Sequence, residues 1–359
     1  MGASNDTNRY ARQTILPEIG ITGQEKISRA SILCIGAGGL GCPALLYLAA
    51  AGIGRIGIVD FDMIDETNLH RQILFTMSDI GRNKAIAAKE RLHAINPSII
   101  IESHPIQLSE KNAERLFADY DLIIDGTDNF SAKFLINDVA VKCGKPFIYG
   151  SVLGFEGQVS VFGTPDGPCY RCLFPEAPKS HIPNCAEAGV IGAVAGVIGT
   201  AQAIEAIKII AKNKNLTPLS GKLWTLDTRT MSNRLLSLAK NPDCPLCSQR
   251  KEDIMIKTTP LFCAPVAEIT PEETRQNKTA ILIDVREQDE WDAGHIDTAK
   301  LVPLSGLAQG QMPDLPKDCE IIIHCQRGKR GVQAAQILKE NGYTNVSNMC
   351  GGYEAWLKC

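Results

Sequence analysis

Apolar and polar positions along this chain fall into two alternating rhythms. Short apolar runs at 31–36 and 55–60 read as buried strands, and the longer patterned segments at 40–51 and 82–95 read as helices. The rhythm continues through strand 99–103, helix 111–117, strand 121–125, helix 132–143 and strand 146–150. Strands that alternate with helices of this length predict an α/β fold with a doubly wound parallel sheet. The pattern then changes. Residues 155–162 alternate as an antiparallel strand does, and a stretch rich in cysteine and proline leads to a long helix near 190–211.

A charged, poorly patterned stretch, Arg250-Lys251-Glu252-Asp253, follows Cys247. Beyond it a second α/β rhythm begins, with strands 280–284, 321–324 and 345–348 and a helix at 331–341. The expected organisation is a first domain at 1–250, a linker at 251–263 and a smaller domain at 264–359. At 359 residues the chain is long enough for two cores, and 44% hydrophobic residues suit a globular protein. A net charge of −3 gives no reason to expect a nucleic-acid or membrane surface.

The N-terminus is polar and lacks the apolar core of a signal peptide. Asp6 stands where a myristoylation motif wants Ser or Thr. The uncharged run at 188–204 is ended by Glu205 and Lys208, contains Thr200 and Gln202, and falls short of the apolar length expected of a membrane span. With Gly192 and Gly196 spaced for close packing, it reads as a buried or dimer-interface helix. Thirteen cysteines without a secretion signal argue for a reducing compartment, with the cytoplasm as the default.

Candidate chemistry begins at Gly36-Ala37-Gly38-Gly39-Leu40-Gly41, between a strand and a helix. Glycines there permit a tight turn and close backbone approach, and the helix N-terminus offers free N–H groups to phosphate. Asp60 ends the next strand, where an acid binds ribose hydroxyls. These features alone also suit an NAD-dependent oxidoreductase. A kit for a triphosphate follows, however: Asp62, Asn68, Arg71, Gln72 and Lys84, then Asp125-Gly126-Thr127-Asp128-Asn129 after a buried strand. Arg71 and Lys84 can neutralise phosphate charge, and Asp128 can hold Mg²⁺, a hard cation that prefers oxygen ligands.

Two further constellations involve cysteine. Cys169-x-x-Cys172 and Cys244-x-x-Cys247 can supply four thiolates to a structural zinc. Cys325 follows an apolar strand, precedes a helix, and lies within His324-Cys325-Gln326-Arg327-Gly328-Lys329-Arg330. Backbone N–H groups and three cations favour thiolate over thiol. A phosphate-cradling phosphatase loop is the rival reading. Here only four residues separate Cys325 from Arg330, and the shorter loop suits a single sulfur atom better.

Residues 8–250 closely resemble the MoeB/ThiF family of adenylating enzymes, which is related to ubiquitin-activating enzymes. The matching pieces are Arg9-Tyr10-x-Arg12-Gln13, the glycine loop, Val59-Asp60-Phe61-Asp62, Asn68-Leu69-x-Arg71-Gln72, Lys84, Thr127-Asp128-Asn129 and the cysteine pairs. Residues 264–359 resemble the rhodanese family at Asp284-Val285-Arg286-Glu287, Glu290-Trp291, Gly294-His295-Ile296, the Cys325 loop and Gly351-Gly352-Tyr353-x-Ala355-Trp356.

The first resemblance implies a Rossmann-like domain in which ATP and Mg²⁺ activate the C-terminal Gly-Gly carboxylate of a ubiquitin-like sulfur carrier as an acyl-adenylate. Gly36, Gly38, Gly39, Gly41, Asp60, Asp62, Asn68, Gln72 and Asn129 would bind the nucleotide. Arg71 and Lys84 would hold phosphates, Asp128 would hold Mg²⁺, and Arg12 would reach the site of a neighbouring subunit in a homodimer. The second resemblance implies a persulfide on Cys325, loaded by a cysteine desulfurase or from thiosulfate. Together they point to thiocarboxylate formation. Cys185, at the position of the family's conserved-motif cysteine, would resolve the persulfide link. Alternatively it would form a stable thioester for conjugation. A binding module that docks a carrier without ATP turnover is the third reading, and the presence of Arg12, Arg71, Lys84 and Asp128 together speaks against it. Molybdopterin, thiamin, cysteine and tRNA thiolation pathways all remain open.

Overall fold

The computed structural model describes residues 6–176, 189–256 and 266–359. It divides into two compact units, one reaching Thr259 and the other containing Pro260–Cys359. In the first unit the strands are β1 (Ser31–Ile35), β2 (Arg55–Val59), β3 (Ile100–His104), β4 (Leu122–Asp125), β5 (Phe147–Leu153), β6 (Glu156–Phe162), β7 (Lys222–Asp227) and β8 (Ser232–Ser237). Its principal helices are α1 (Gly20–Arg29), α2 (Gly41–Ala51), α3 (Lys84–Ile95), α4 (Ala113–Ala118), α5 (Phe130–Cys143) and α6 (Gly192–Ala211).

The sheet order is β3-β2-β1-β4-β5-β6-β7-β8. Strands β1 to β5 pair in parallel and β5 to β8 pair antiparallel. Cys34, Ile56, Ile58 and Ile124 pack towards one helical layer, while Leu33, Ile35, Val59 and Ile123 pack towards the other. Burial on both faces explains why these strands are apolar runs rather than alternating ones. Strand order reverses between β1 and β4, where Ile35 pairs with Asp125. The crevice beyond the C-terminal ends of those two strands is where open α/β sheets bind ligands.

Two departures from the expected elements follow from packing. The antiparallel extension β7–β8 has no apolar run to announce it, because β8 is exposed along its whole length. Helix α6, at 20 residues, is long and apolar enough to cross a membrane by length and composition, so the expectation that this stretch falls short is corrected. Val194, Ala195, Ile198, Ala203 and Ala206 are buried, and α6 packs against α2, β5 and β6 as a core helix.

The second unit has β9 (Ala267–Ile269), β10 (Ile281–Asp284), β11 (Lys300–Leu301), β12 (Glu320–His324) and β13 (Asn345–Met349), with α7 (Lys329–Glu340) the longest helix. Its sheet order is β11-β10-β12-β13-β9, all parallel. Ile283, Ile321, Ile323 and Ala334 form its main core, beneath the start of the Cys325 loop. Ile254 is buried beside Cys169, Cys244 and Leu246, so first-unit packing continues beyond residue 250.

Candidate functional site

The glycine loop follows β1 at the strand-order reversal. Gly36 has φ +94°, and a β-carbon there would lie 2.8 Å from the Gly126 carbonyl oxygen. A β-carbon on Gly126 would in turn lie 2.6 Å from the Gly36 carbonyl oxygen. The turns after β1 and β4 therefore abut back to back, and neither tolerates a side chain. Asp60, at the end of β2, accepts from the Ala37 amide at 2.8 Å and from the Asp62 amide at 2.9 Å. Burial raises the Asp60 carboxyl above its ordinary range, while Lys84 and the two amides pull it back down.

The segment after β2 folds over this loop. Lys84, nearly buried at the start of α3, donates to Asp62 Oδ2 at 3.0 Å. Asn68 Oδ1 accepts from Arg71 at 3.1 Å and from Gln72 Nε2 at 3.2 Å, fixing both side chains. A β-carbon on Gly39 would lie 3.6 Å from Arg71 Cγ and Cδ, and one on Gly38 would lie 3.8 Å from Gln72 Nε2. Gln72 is 3% exposed, yet among the described residues its Oε1 has no hydrogen-bond partner. A buried unsatisfied carbonyl beside a glycine cradle fits a nucleotide that would complete it.

Among the expected residues, Gly36, Gly38, Gly39, Asp60, Asp62, Asn68, Arg71, Gln72 and Lys84 are brought together, and Gly41 opens α2 beside them. Asp128 is exposed on the turn after β4. Asn129 serves the fold, since its Oδ1 caps α5 by accepting from Ala132 N at 2.8 Å. Arg12 is exposed on the turn Ala11–Thr14. Its neighbour Gln13 is tied to the Ala51 carbonyl at the far end of α2, about 15 Å along the helix from the glycine loop. Arg12 thus stands apart from this chain's own cluster. Cys185 lies outside the described residues.

The two CxxC pairs meet. Arg171 holds the first pair onto α5 through Asp138, with two contacts of 2.7 Å, and Tyr170 N donates to Asn137 Oδ1 at 2.7 Å. The four sulfurs of Cys169, Cys172, Cys244 and Cys247 lie within 4.8 Å of one another. Individual separations are 3.9 Å for Cys169–Cys172, 3.5 Å for Cys169–Cys244 and 3.4 Å for Cys172–Cys247. A tetrahedral zinc with Zn–S bonds of about 2.3 Å sets its sulfurs roughly 3.8 Å apart, so the donor set fits. Burial and the neighbouring thiols push Cys169 well up, and burial with sulfur hydrogen bonding pushes Cys247 up to about 12. A divalent cation would reverse that cost.

In the second unit Cys325 follows β12 and is 1% exposed. The Gly328 amide donates to its Sγ at 3.1 Å. The Cys325 carbonyl accepts from Tyr353 N at 2.7 Å, and a β-carbon on Gly352 would lie 2.2 Å from that oxygen. The Gly351-Gly352 turn therefore clamps the loop from behind. Of the cations expected near the sulfur, the two arginines are engaged with carboxylates. Arg330 binds Glu290 through two contacts of 2.6 Å, and Arg327 binds Glu354 at 2.8 Å. Arg286 binds Asp284 at 2.7 Å, reaches Gln326 Oε1 at 3.1 Å and lies over the Tyr353 ring. Arg286 thus links Asp284 at the end of β10 to Gln326 in the loop.

Neither the buried cation Lys133 nor the buried amide Gln202 was expected at the first site. Both reach Asp125: Lys133 through Oδ2 at 2.8 Å, and Gln202 through the carbonyl at 2.7 Å. Each is one of several polar residues in its helix, so no spacing in the sequence singled it out.

The arrangement defines a class: a Rossmann-like domain fastened by a four-thiol clasp, in one chain with a small α/β domain that aims an amide at a buried cysteine. Residues 10–246 match the ThiF family and residues 270–359 match the rhodanese-like domain. The chain belongs to the ThiF family and carries a C-terminal rhodanese-like domain. It is 42% identical to the probable adenylyltransferase/sulfurtransferase MoeZ of Mycobacterium tuberculosis, over 98% of this chain and 92% of that protein. It is 37% identical to the adenylyltransferase and sulfurtransferase MOCS3 of Culex quinquefasciatus, over 99% and 88%. Identity to the sulfur carrier protein adenylyltransferase of Thermus thermophilus is 44%, over 72% and 97%. The fold of the first unit recurs in the crystal structure of E. coli MccB, with a TM-score of 0.60, 22% identity, and coverage of 69% of this chain and 74% of that one.

Proposed function

We propose that this enzyme adenylates the C-terminal carboxylate of a ubiquitin-like sulfur carrier and then replaces the activated oxygen with sulfur held on Cys325. The observation that carries this reading is the pairing, in one chain, of the glycine–Asp60–Arg71–Lys84 cluster with the amide-lined Cys325 loop. The relatives' names support it for both activities.

In the first half-reaction a carboxylate oxygen of the carrier attacks the α-phosphorus of ATP, and pyrophosphate leaves. Arg71 and Lys84 offset charge on the phosphates, and the glycine-loop amides orient them. Asp60 takes the ribose hydroxyls. Asp128 would hold a magnesium ion, which supplies further charge neutralisation when bound. Arg12 would serve the site of a second copy, making the homodimer the working unit. Zinc on Cys169, Cys172, Cys244 and Cys247 would clasp the fold and take no part in the chemistry.

In the second half-reaction the terminal sulfur of the Cys325 persulfide attacks the acyl carbon, and AMP leaves. The carrier is then joined to Cys325 through an acyl disulfide. Attack by a second thiol, assigned to Cys185, on Cys325 Sγ frees the thiocarboxylate and leaves a protein disulfide. A thiol reductant restores both cysteines. The persulfide sulfur comes from a cysteine desulfurase or thiosulfate, in a reducing cytoplasm.

The test is the intact mass of Gly-Gly-ending carrier proteins incubated with the enzyme, ATP, Mg²⁺, thiosulfate and a thiol reductant. The wild type should convert carrier carboxylate to thiocarboxylate, and Cys325→Ala should not. Equal thioester formation by both, with no gain of sulfur, would favour conjugation instead.

A further inference from the structure

Helix α5 carries one lysine on its buried face. Lys133 is 4% exposed, and its Nζ donates to Asp125 Oδ2 at 2.8 Å, the Thr127 carbonyl at 3.0 Å and the Gly150 carbonyl at 2.7 Å. Three acceptors require three N–H donors, so the group is an ammonium. The Tyr149 ring lies 4.9 Å from it. Asp125 is 0% exposed and makes its own turn: Oδ1 accepts from Thr127 N at 3.0 Å and Thr127 Oγ1 at 2.7 Å. Its carbonyl is held from α6 by Gln202.

A buried ion pair is a weak source of net stability, since apolar side chains of similar volume often serve as well. What this one does is geometric. It fixes the carbonyl of Thr127, the residue before Asp128, and it fixes the turn whose Gly126 abuts Gly36 of the glycine loop.

We propose that Lys133 is a positioning residue for adenylation. Its ammonium sets the Asp125–Thr127 turn so that the Asp128 carboxylate meets magnesium on the bound triphosphate. This rests on the adenylation reading above, and it adds a residue that touches neither substrate nor metal.

The experiment uses the full-length protein and ATP alone as probe. ATP affinity is titrated with and without Mg²⁺, for the wild type, K133M, K133R and the charge-neutral pair D125N/K133M. Apo melting temperature is measured on each. In the wild type Mg²⁺ tightens ATP binding. In D125N/K133M, which has no unpaired buried charge and should fold, that Mg²⁺-dependent gain should shrink about tenfold or more, because a side chain misplaced by about an ångström has effects of that order. Mg²⁺-free affinity, set by the glycine loop and Asp60, should stay. K133R keeps charge and donors and should retain the gain. K133M should behave as the double variant does, with a lower melting temperature.

Should D125N/K133M keep the full Mg²⁺-dependent gain, Lys133 is merely structural and the proposal falls. The same holds if both affinities drop equally. A wild type that binds no ATP at all overturns the adenylation reading itself, which the variants alone cannot do.

Discussion

Both candidate loops of this chain sit at the C-terminal ends of parallel strands, yet their charges are arranged differently. Around the glycine loop the two cations are held differently. Among the described residues Arg71 is steadied by neutral acceptors, the Thr67 carbonyl and Asn68 Oδ1, and Lys84 meets a half-exposed Asp62. Around Cys325 the arginines are matched to carboxylates, leaving the Gly328 amide on the sulfur. The first arrangement suits a polyanion that must be neutralised as it reacts. The second suits a single sulfur that must be accepted and then released, where full cations on the sulfur would hold it too well. On the proposed function, similar residues near a glycine turn do electrostatic work in one loop and mechanical work in the other.

The largest effect that tests this contrast is functional separation. Lys84→Ala removes the proposed phosphate partner and should lower carrier-dependent ATP–pyrophosphate exchange by a factor of about 10²–10³. Sulfur transfer from thiosulfate to a small thiol acceptor should be unchanged. Loss of both activities in a variant that still melts cooperatively would mean that the two loops are not separate sites.

A smaller effect probes the braced loop through pH. His324 is fully buried behind Cys325, and among the described residues neither of its ring nitrogens has a hydrogen-bond partner. Burial lowers it from 6.5 to about 4, against the pull of Asp284 at 3.7 Å. Between those values the unfolded chain binds the extra proton and the native one does not, so native stability is full above the unfolded value and falls with pH. The loss approaches roughly 3 kcal/mol once the folded value is reached. His324→Phe keeps an apolar-sized ring beside Tyr353 and should flatten the acid limb of the melting-temperature profile. An unchanged slope would show that carboxylates, not His324, set acid sensitivity.

Legibility followed what a residue contributes alone. The strand–helix alternation, the glycine turn, Asp60 and the two CxxC pairs were visible because a periodicity or a spacing encodes each of them. The apolar run in β1 survives translation into structure as two-sided burial. Residues that act through a partner distant in sequence were not visible. Lys133 reads as an ordinary helix lysine until Gly150 and Asp125 are placed beside it, and Gln202 served only as an argument about hydropathy. Likewise Arg327 and Arg330 read as charge around a thiol, because Glu354 and Glu290 lie 27 and 40 residues away. Strand β8 was missed for the opposite reason: its exposure leaves no alternation to detect.

The smallest effect separates the two arginines of the sulfur loop. Arg330 and Glu290 are about two-thirds buried and share two short contacts, and the pair draws Glu290 below its usual carboxylate range through the Arg330 hydrogen bonds. Arg327 is 70% exposed, and its partner Glu354 is 37% exposed. If both arginines act as loop anchors, a double-mutant cycle on Arg330 and Glu290 should show coupling of about 1 kcal/mol, after allowing for solvent screening of side chains one-third exposed. The Arg327–Glu354 cycle should show no coupling that melting temperature resolves. The informative reading comes from salt. An Arg327 that does not act on the sulfur as a charge leaves salt nothing there to screen, so persulfide loading of Cys325 should depend on ionic strength equally in Arg327→Gln and in wild type. A marked loss of salt dependence in that variant would return Arg327 to an electrostatic role and undo the contrast between the loops.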